Sequence, residues 1–368
     1  MRVVQVVPTP FGAGGLLGGG ERYPVELAKA LAGHVDCELL TFGPHSGSWR
    51  GPGGLRVRML HRFGLLRGHP AHPIAPQLAW SLRGAEVVHT HHLRSAPSRV
   101  ASVVAFLGGQ HRVTTDHGLG GGGWGGLLPA LFERFLTVSR FSADTLGVPP
   151  QRTRVIYGGA DPARFWPDES VRRHGVLFVG RITPHKGVDR LIKALPAGTC
   201  LTVAGSTGHD PMLPERNYPR LLRDLATDRD VRFTGPVGEQ DLPLLHRSAA
   251  VFVLPSVDRT CYGRPVPISE LLGLSVLEAM ASGTPVIASR TGGLVEVVRD
   301  GETGFLVTPG DVSELQDRIQ TLLGDRQLAR RMGERGRALA LEEFTWDRTA
   351  QRCLAAYAEL DRPSSAAV

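Results

Sequence analysis

Short apolar runs alternate with amphipathic stretches along nearly the whole chain, and this alternation restricts the folds open to it. Strand candidates in the first half are 2–7, 37–42, 55–60, 86–89, 112–115, 135–138 and 154–157. In the second half they are 176–179, 200–204, 231–234, 250–254, 285–288 and 304–307. Helical patterns separate most of them, notably 21–32, 214–227, 239–247, 311–323 and 326–342. Strand and helix in turn imply an α/β class with parallel sheets. A chain of 368 residues is long enough for two domains, each with its own core. The turn-rich, polar stretch "GGADPARFWPDESVRRHG" (158–175) is the expected boundary, because each flank carries its own strand series. Two domains of similar size with a cleft between them are therefore expected. The last helix, 346–361, follows the second series, and its pattern allows packing on either domain.

The net charge of +7 raises the question of an anionic partner. Basic residues are spread along the chain, no basic run is interleaved with aromatics, and aromatics are only 6%, which argues against nucleic acid. Anionic small molecules or an anionic membrane surface account for the charge equally well. Nearly every cation is arginine: the lysines are Lys29, Lys186 and Lys193. Four scattered cysteines without a C-x-x-C pair, no signal-peptide pattern and no run of 18 apolar residues point to a cytoplasmic setting. Peripheral contact with the inner face of a membrane is compatible with it, and "HRFGLLRGHP" (61–70) is the segment whose basic-apolar make-up suits such contact, although a solvated turn has the same make-up.

The segment "ELLGLSVLEAMASGTPVIAS" (270–289) carries two glutamates eight positions apart. One continuous helix would set Glu270 and Glu278 about 12 Å apart along its axis, pointing roughly 80° away from each other. They are not a paired acid and base. Gly273 suggests that the helix begins between them and leaves Glu270 on the entering loop, while Gly283 suits its end. The free amides of the helix start then lie between two carboxylates.

Two further stretches suit an anion. "FGAGGLLGGGERYPVELAKAL" (11–31) follows the first strand, and glycines between strand and helix let backbone approach a ligand. Pro24 fits only if the helix starts just upstream of it. The G-x-G-x-x-G fingerprint fails here because Leu17 takes the sixth position, and the formal match at Gly118, Gly120 and Gly123 sits in a tract too glycine-rich to be informative; that tract, 118–126, reads as a flexible loop. "VGRITPHKG" (179–187) places Arg181 and Lys186 five residues apart at a strand's carboxyl end, a fork and a point charge suited to a diphosphate. Histidines cluster in "VVHTHHL" (87–93), with His89 and His91 on one side of a strand end and His92 opposite, and in "TTDHG" (114–118), where His117 ends a strand. Ligands in open α/β sheets bind outside such strand ends. No carboxylate or cysteine is spaced to complete a metal site with them, and "DRD" (228–230) reads as a polar turn.

In their order and spacing, these motifs resemble retaining glycosyltransferases of the GT-B fold, family 4. The resemblance rests on "GGGER", "VVHTHH", "TTDHG", "VSRFSADTL" (138–146), "VIYGGADPARF" (155–165), "VGRITPHKG", the E-x7-E segment and "EAMASGTPVIASRTGGLVEVVRDGETGFLV" (278–307). It implies an acceptor-binding domain at 1–162, a nucleotide-sugar-binding domain at 163–345, and a helix and tail at 346–368 that cross back to the first domain. It further implies that Arg181 and Lys186 hold the donor diphosphate together with the amides of Leu274 and Ser275, that Glu278 takes the ribose and that Glu270 meets the transferred sugar. His117 would face the sugar near the reacting carbon, and Gly19 and Gly20 would border the phosphates when the cleft closes. The implied reaction moves a hexose from a nucleotide-diphosphate sugar to a hydroxyl acceptor by a metal-independent front-face route. No cofactor is expected beyond the UDP-, GDP- or other nucleotide-sugar donor.

Two departures stand out. Family members often read N-G-V-D where this chain has "YGGAD" (157–161), and "PSVDRTCYGRPVPISELLG" (255–273) is longer than the usual link into the first glutamate. A nucleotide-sugar epimerase on the same fold and a non-catalytic nucleotide-sugar-binding protein are the competing expectations.

Overall fold

The computed structural model describes residues 1–8, 19–117, 127–207 and 217–361. The chain divides into two compact units, Met1–Gly158 with Trp346–Val368, and Gly159–Thr345. The division falls a few residues before the expected 162, and the last helix belongs to the first unit.

The strands of the first unit are β1 (Arg2–Val6), β2 (Asp36–Gly43), β3 (Gly47–Arg50), β4 (Arg56–His61), β5 (Gly64–Leu65), β6 (Pro73–Ile74), β7 (Val87–His91), β8 (His111–Thr115), β9 (Arg134–Thr137) and β10 (Thr153–Val155). Its helices are α1 (Gly19–Ala32), α2 (Leu78–Ser81), α3 (Ala96–Leu107) and α4 (Arg140–Leu146). The main sheet runs β10-β9-β8-β7-β1-β2-β4-β3 and is parallel except for the antiparallel edge pair β3–β4. Strand order reverses direction at β1, so the carboxyl ends of β1, β7 and β8 meet at a topological switch point. Val3, Val4 and Val6 of β1 are fully buried, as expected of a strand covered by helices on both faces. The exposed edge strand β3, with all four residues exposed, has no apolar run to announce it, and the sequence reading passes over it.

The second unit contains β11 (His174–Val179), β12 (Leu201–Ala204), β13 (Val231–Gly235), β14 (Ala249–Leu254), β15 (Val286–Ser289) and β16 (Gly304–Val307). Around them lie α5 (Val188–Ala194), α6 (Tyr218–Leu225), α7 (Leu242–Ser248), α8 (Leu274–Ala281), α9 (Leu294–Val297), α10 (Val312–Gly324) and α11 (Arg326–Glu343). The sheet, β13-β12-β11-β14-β15-β16, is parallel throughout and switches direction between β11 and β14. Helix starts are marked by side chains: Asp311 accepts from the Glu314 amide and Asp325 from the Leu328 amide. The expected helix over 214–227 is shorter in its described part, because Pro219 takes the first turn of α6. "DRD" (228–230) is an exposed turn after α6.

The last helix, α12 (Trp346–Ala358), packs on α1. Trp346 meets the Tyr23 ring edge-on at 5.2 Å, and Tyr357 reaches beneath β7 to His89. Pro24 lies further inside α1 than the sequence reading allows, five residues after Gly19. It has no N–H to offer the Gly20 carbonyl, so the first turn of α1 lacks that bond.

Candidate functional site

At the switch point of the second unit, β11 ends at Val179 and β14 at Leu254. Arg181 follows β11 on the surface, and a short turn Pro184–Lys186 brings Lys186 back over the sheet edge. The turn closes because Gly187 adopts φ 69°, with its backbone against the next strand's exit: a Cβ there would lie 2.0 Å from the Pro255 carbonyl oxygen. The Val257 amide, donating to the His185 carbonyl at 2.9 Å, fixes the same approach. Lys186 is thereby ion-paired with the carboxylate of Glu270. Ser256 donates to the same Glu270 oxygen at 2.8 Å. Burial, with Lys186 beside it, pushes the His185 imidazole down to about 4, so a neutral ring adjoins this cation.

Glu270 lies on the entering loop and Gly273 caps α8 in the left-handed region at φ 93°, so the helix begins between the two acids, as Gly273 suggests in the sequence. No side chain caps α8, which leaves the Leu274 and Ser275 amides at a positive helix end. Glu278, one turn further on, is only 2% exposed. One of its oxygens lies 3.6 Å from Nε2 of His246, a fully buried residue of α7 held between the Phe165 and Phe252 rings. The segment 255–273 folds back on itself through an antiparallel bridge between Arg259 and Pro265. Its first contribution is Ser256, which sequence reasoning missed; its place just after a switch-point strand is the signal that could have found it.

In the first unit, His117 follows β8 and is half-buried. Its Nε2 is 3.1 Å from Nδ1 of His91, and Nε2 of His91 is 3.1 Å from Oε1 of Gln5 on β1. The His91 and His117 rings lie edge to edge and nearly coplanar with centroids 5.4 Å apart, Tyr23 of α1 meets His117 edge-on at 4.9 Å, and a Cβ on Gly20 would touch His117. His92 is not opposite the others. A backbone at φ 62° turns it back, and its ring lies 5.0 Å from that of His117. His89 sits deeper, bonded to the Tyr357 hydroxyl and to Thr115. Burial holds His89, at about 3, and His91 and His117 far below the ordinary imidazole value, so all three are neutral at pH 7. Gly19 opens α1 and is exposed. The earlier glycines of 11–31 and the glycine tract 118–126 lie outside the described residues.

Comparison with known proteins adds the family. Residues 166–339 match the family described as glycosyl transferases group 1, and residues 17–164 match glycosyltransferase family 4. The chain belongs to this glycosyltransferase family. A GDP-mannose-dependent alpha-(1-6)-phosphatidylinositol monomannoside mannosyltransferase of Mycolicibacterium smegmatis is 36% identical over 205 residues, 51% of each chain. A D-inositol 3-phosphate glycosyltransferase of Nocardia farcinica is 33% identical over 60% of this chain and 50% of its own. The chain thus spans about half the length of these curated relatives. Among solved structures, sucrose-phosphate synthase from Thermosynechococcus elongatus superposes with a TM-score of 0.72 at 23% identity, covering 98% of this chain and 99% of that one. Anabaena Alr3699/HepE in complex with UDP-glucose superposes at 0.75 and 20% identity, over 98% and 100%. The fold is that of the GT-B glycosyltransferases.

Proposed function

We propose that this family member transfers a hexose from a nucleotide-diphosphate sugar to a hydroxyl acceptor with retention of configuration and without a metal ion. The observation that carries the reading is the assembly of Lys186, Ser256, Glu270 and the uncapped start of α8 around one switch point, beside Arg181. Breaking the bond from sugar C1 to phosphate leaves the electron pair on the departing diphosphate. Lys186, Arg181 and the Leu274 and Ser275 amides are positioned to stabilise that charge without a metal ion. The acceptor oxygen bonds to C1 on the face the diphosphate leaves, and its proton passes to the departing phosphate oxygen. Glu270 accepts from hydroxyls of the transferred sugar, Glu278 serves the ribose, His117 contacts a substrate hydroxyl, and the backbone at Gly19 and Gly20 approaches the phosphates.

The test is a donor panel that includes GDP-mannose and UDP-glucose, followed by calorimetry and by nuclear magnetic resonance of the product's anomeric centre. Retention with full rate in chelator supports the proposal; an inverted product, or loss of rate in chelator, removes the corresponding part. Epimer formed from donor alone would replace it by an epimerase. His117→Ala is expected to cut turnover more than donor affinity.

The acceptor reading follows from a second surface. Between Glu38 and Asp116 the sequence has one acid, Glu86, against nine arginines; Arg56, Arg58 and Arg112 pair with Asp36, Glu38 and Glu133 from outside the stretch, and the balance is still cationic. Glu86 is itself engaged by the Arg2 amide. The β5–β6 hairpin, α2 and α3 pack together here and expose Phe63, Trp80, Phe106 and Leu107, the last 79% exposed. Apolar side chains on a cationic surface suit an anionic bilayer, where a lipid-linked acceptor resides. Among the described residues no helix is long and apolar enough to cross a membrane. Co-sedimentation with vesicles containing anionic lipid, lost on Phe63→Ser with Phe106→Ser, is the expected outcome; equal binding to neutral vesicles overturns it.

A further inference from the structure

Gln5 is fully buried near the carboxyl end of β1, and its amide nitrogen finds no partner among the described residues. Leaving a buried amide unsatisfied is costly, and an aliphatic side chain would avoid that cost. Its oxygen, by contrast, faces Nε2 of His91 at 3.1 Å, and Nδ1 of the same ring faces Nε2 of His117 at 3.1 Å. These groups stand at the adjoining carboxyl ends of β1, β7 and β8. A neutral imidazole carries one proton, so the donor and acceptor roles along such a chain are coupled.

We propose that Gln5 and His91 are positioning residues that fix the tautomer of His117. The Gln5 oxygen accepts from Nε2–H of His91. That leaves Nδ1 of His91 as an acceptor, and it takes the Nε2–H of His117. His117 then presents an unprotonated Nδ1, which accepts a hydrogen bond from a substrate hydroxyl. The neutral state of both rings is what makes the relay directional, since a charged ring would donate from both nitrogens. The two rings lie nearly coplanar, at an interplanar angle of 16°, as an in-plane N–H···N bond requires. His92 and Tyr23, also against His117, pack on it without appearing in this chain of bonds. The relay rests on the reading above only for the identity of the hydroxyl; the tautomer itself is a property of the protein alone.

Nitrogen-15 spectra of histidine-labelled protein, without substrate and with His117 assigned through His117→Gln, separate the two questions. The expected spectrum shows His117 protonated at Nε2 and bare at Nδ1, and His91 likewise. Gln5→Leu and His91→Phe are expected to yield mixed His117 tautomers and to lower kcat roughly 2- to 10-fold with donor KM nearly unchanged, the size of one lost neutral hydrogen bond. Gln5→Glu sets a carboxylate against Nε2 of His91, favours a charged ring that donates from both nitrogens, and is expected to shift the His117 proton from Nε2 to Nδ1. A His117 protonated at Nδ1 in the parent protein, or an unchanged tautomer in both Gln5→Leu and His91→Phe, overturns the relay. The correct tautomers in a protein that transfers no sugar would leave the relay standing and overturn the glycosyltransferase reading instead.

Discussion

Lys186 and Glu270, 84 positions apart in sequence, form an ion pair across the carboxyl ends of β11 and β14. Both side chains are largely buried, 14% and 8% exposed, so the pair is screened far less than a surface one. Ser256 satisfies the same carboxylate oxygen. The cation is therefore held in place by the protein itself, and on the proposed reading little reorganisation is needed when a diphosphate binds.

Lys186→Ala removes that cation and strands the buried Glu270 carboxylate where the proposed reading places the donor phosphates. Hydrogen bonds to charged groups contribute about 1.5–3 kcal/mol, so affinity for a nucleotide-sugar donor is expected to fall roughly 10- to 100-fold. Calorimetry with donor measures it. Unchanged affinity would remove Lys186 from the site.

The two glutamates should separate when donor and bare nucleotide diphosphate are compared. Glu270→Gln is expected to weaken binding of the nucleotide-sugar while leaving the nucleotide diphosphate bound as well or better, because Lys186 is freed from its partner. Glu278→Ala is expected to weaken both ligands alike, since the ribose is common to them. Parallel losses for the two variants would show that the acids do not serve different parts of the donor.

Gly187→Ala places a methyl group 2.0 Å from the Pro255 carbonyl oxygen at a residue with φ 69°. Strain of this kind costs on the order of 1–3 kcal/mol from the backbone alone, and the clash must displace the Lys186 turn as well. A lowered urea midpoint together with weakened donor binding is the expected outcome. A variant that matches the parent in both measurements would show that the turn has room to relax.

Stability should fall as pH drops below neutrality, before most carboxylates titrate. His89 is held neutral by burial, with its value lowered from 6.5 to about 3. The unfolded chain takes up a proton at about 6.5 and the native one does not, so stability is complete above 6.5 and is lost as pH falls toward 3. The loss attributable to this ring reaches about 2 kcal/mol at pH 5. Urea midpoints at pH 7, 6 and 5 measure the slope, which His89→Gln should flatten; an equal slope in that variant would assign the acid sensitivity elsewhere.

Much of the fold was legible from apolar periodicity. All six strands of the second unit and seven of the ten in the first coincide with apolar runs, because strands covered on both faces by helices must be apolar throughout. The three missed, β3, β5 and β6, are edge or two-residue strands with little buried surface. Helix α3 was missed although Ser95 caps it, because Pro97 early in the helix and the serines along it obscure the pattern. The break between Glu270 and Glu278 was legible from Gly273 alone, since few other residues tolerate φ 93° at a helix start.

Sequence alone determined the α/β class, the two strand series, the family and the short motifs that put Arg181, Lys186, Glu270, Glu278 and His117 at strand and helix ends, because these are consequences of local spacing. Tertiary structure decided which distant residues meet: Lys186 with Glu270 and Ser256, Glu278 with His246, His117 with His91 and Gln5, and the last helix with α1. Those pairings are set by strand order, which places β11 beside β14 and β1 beside β7, and strand order follows from packing whole sheets rather than from any segment's own pattern.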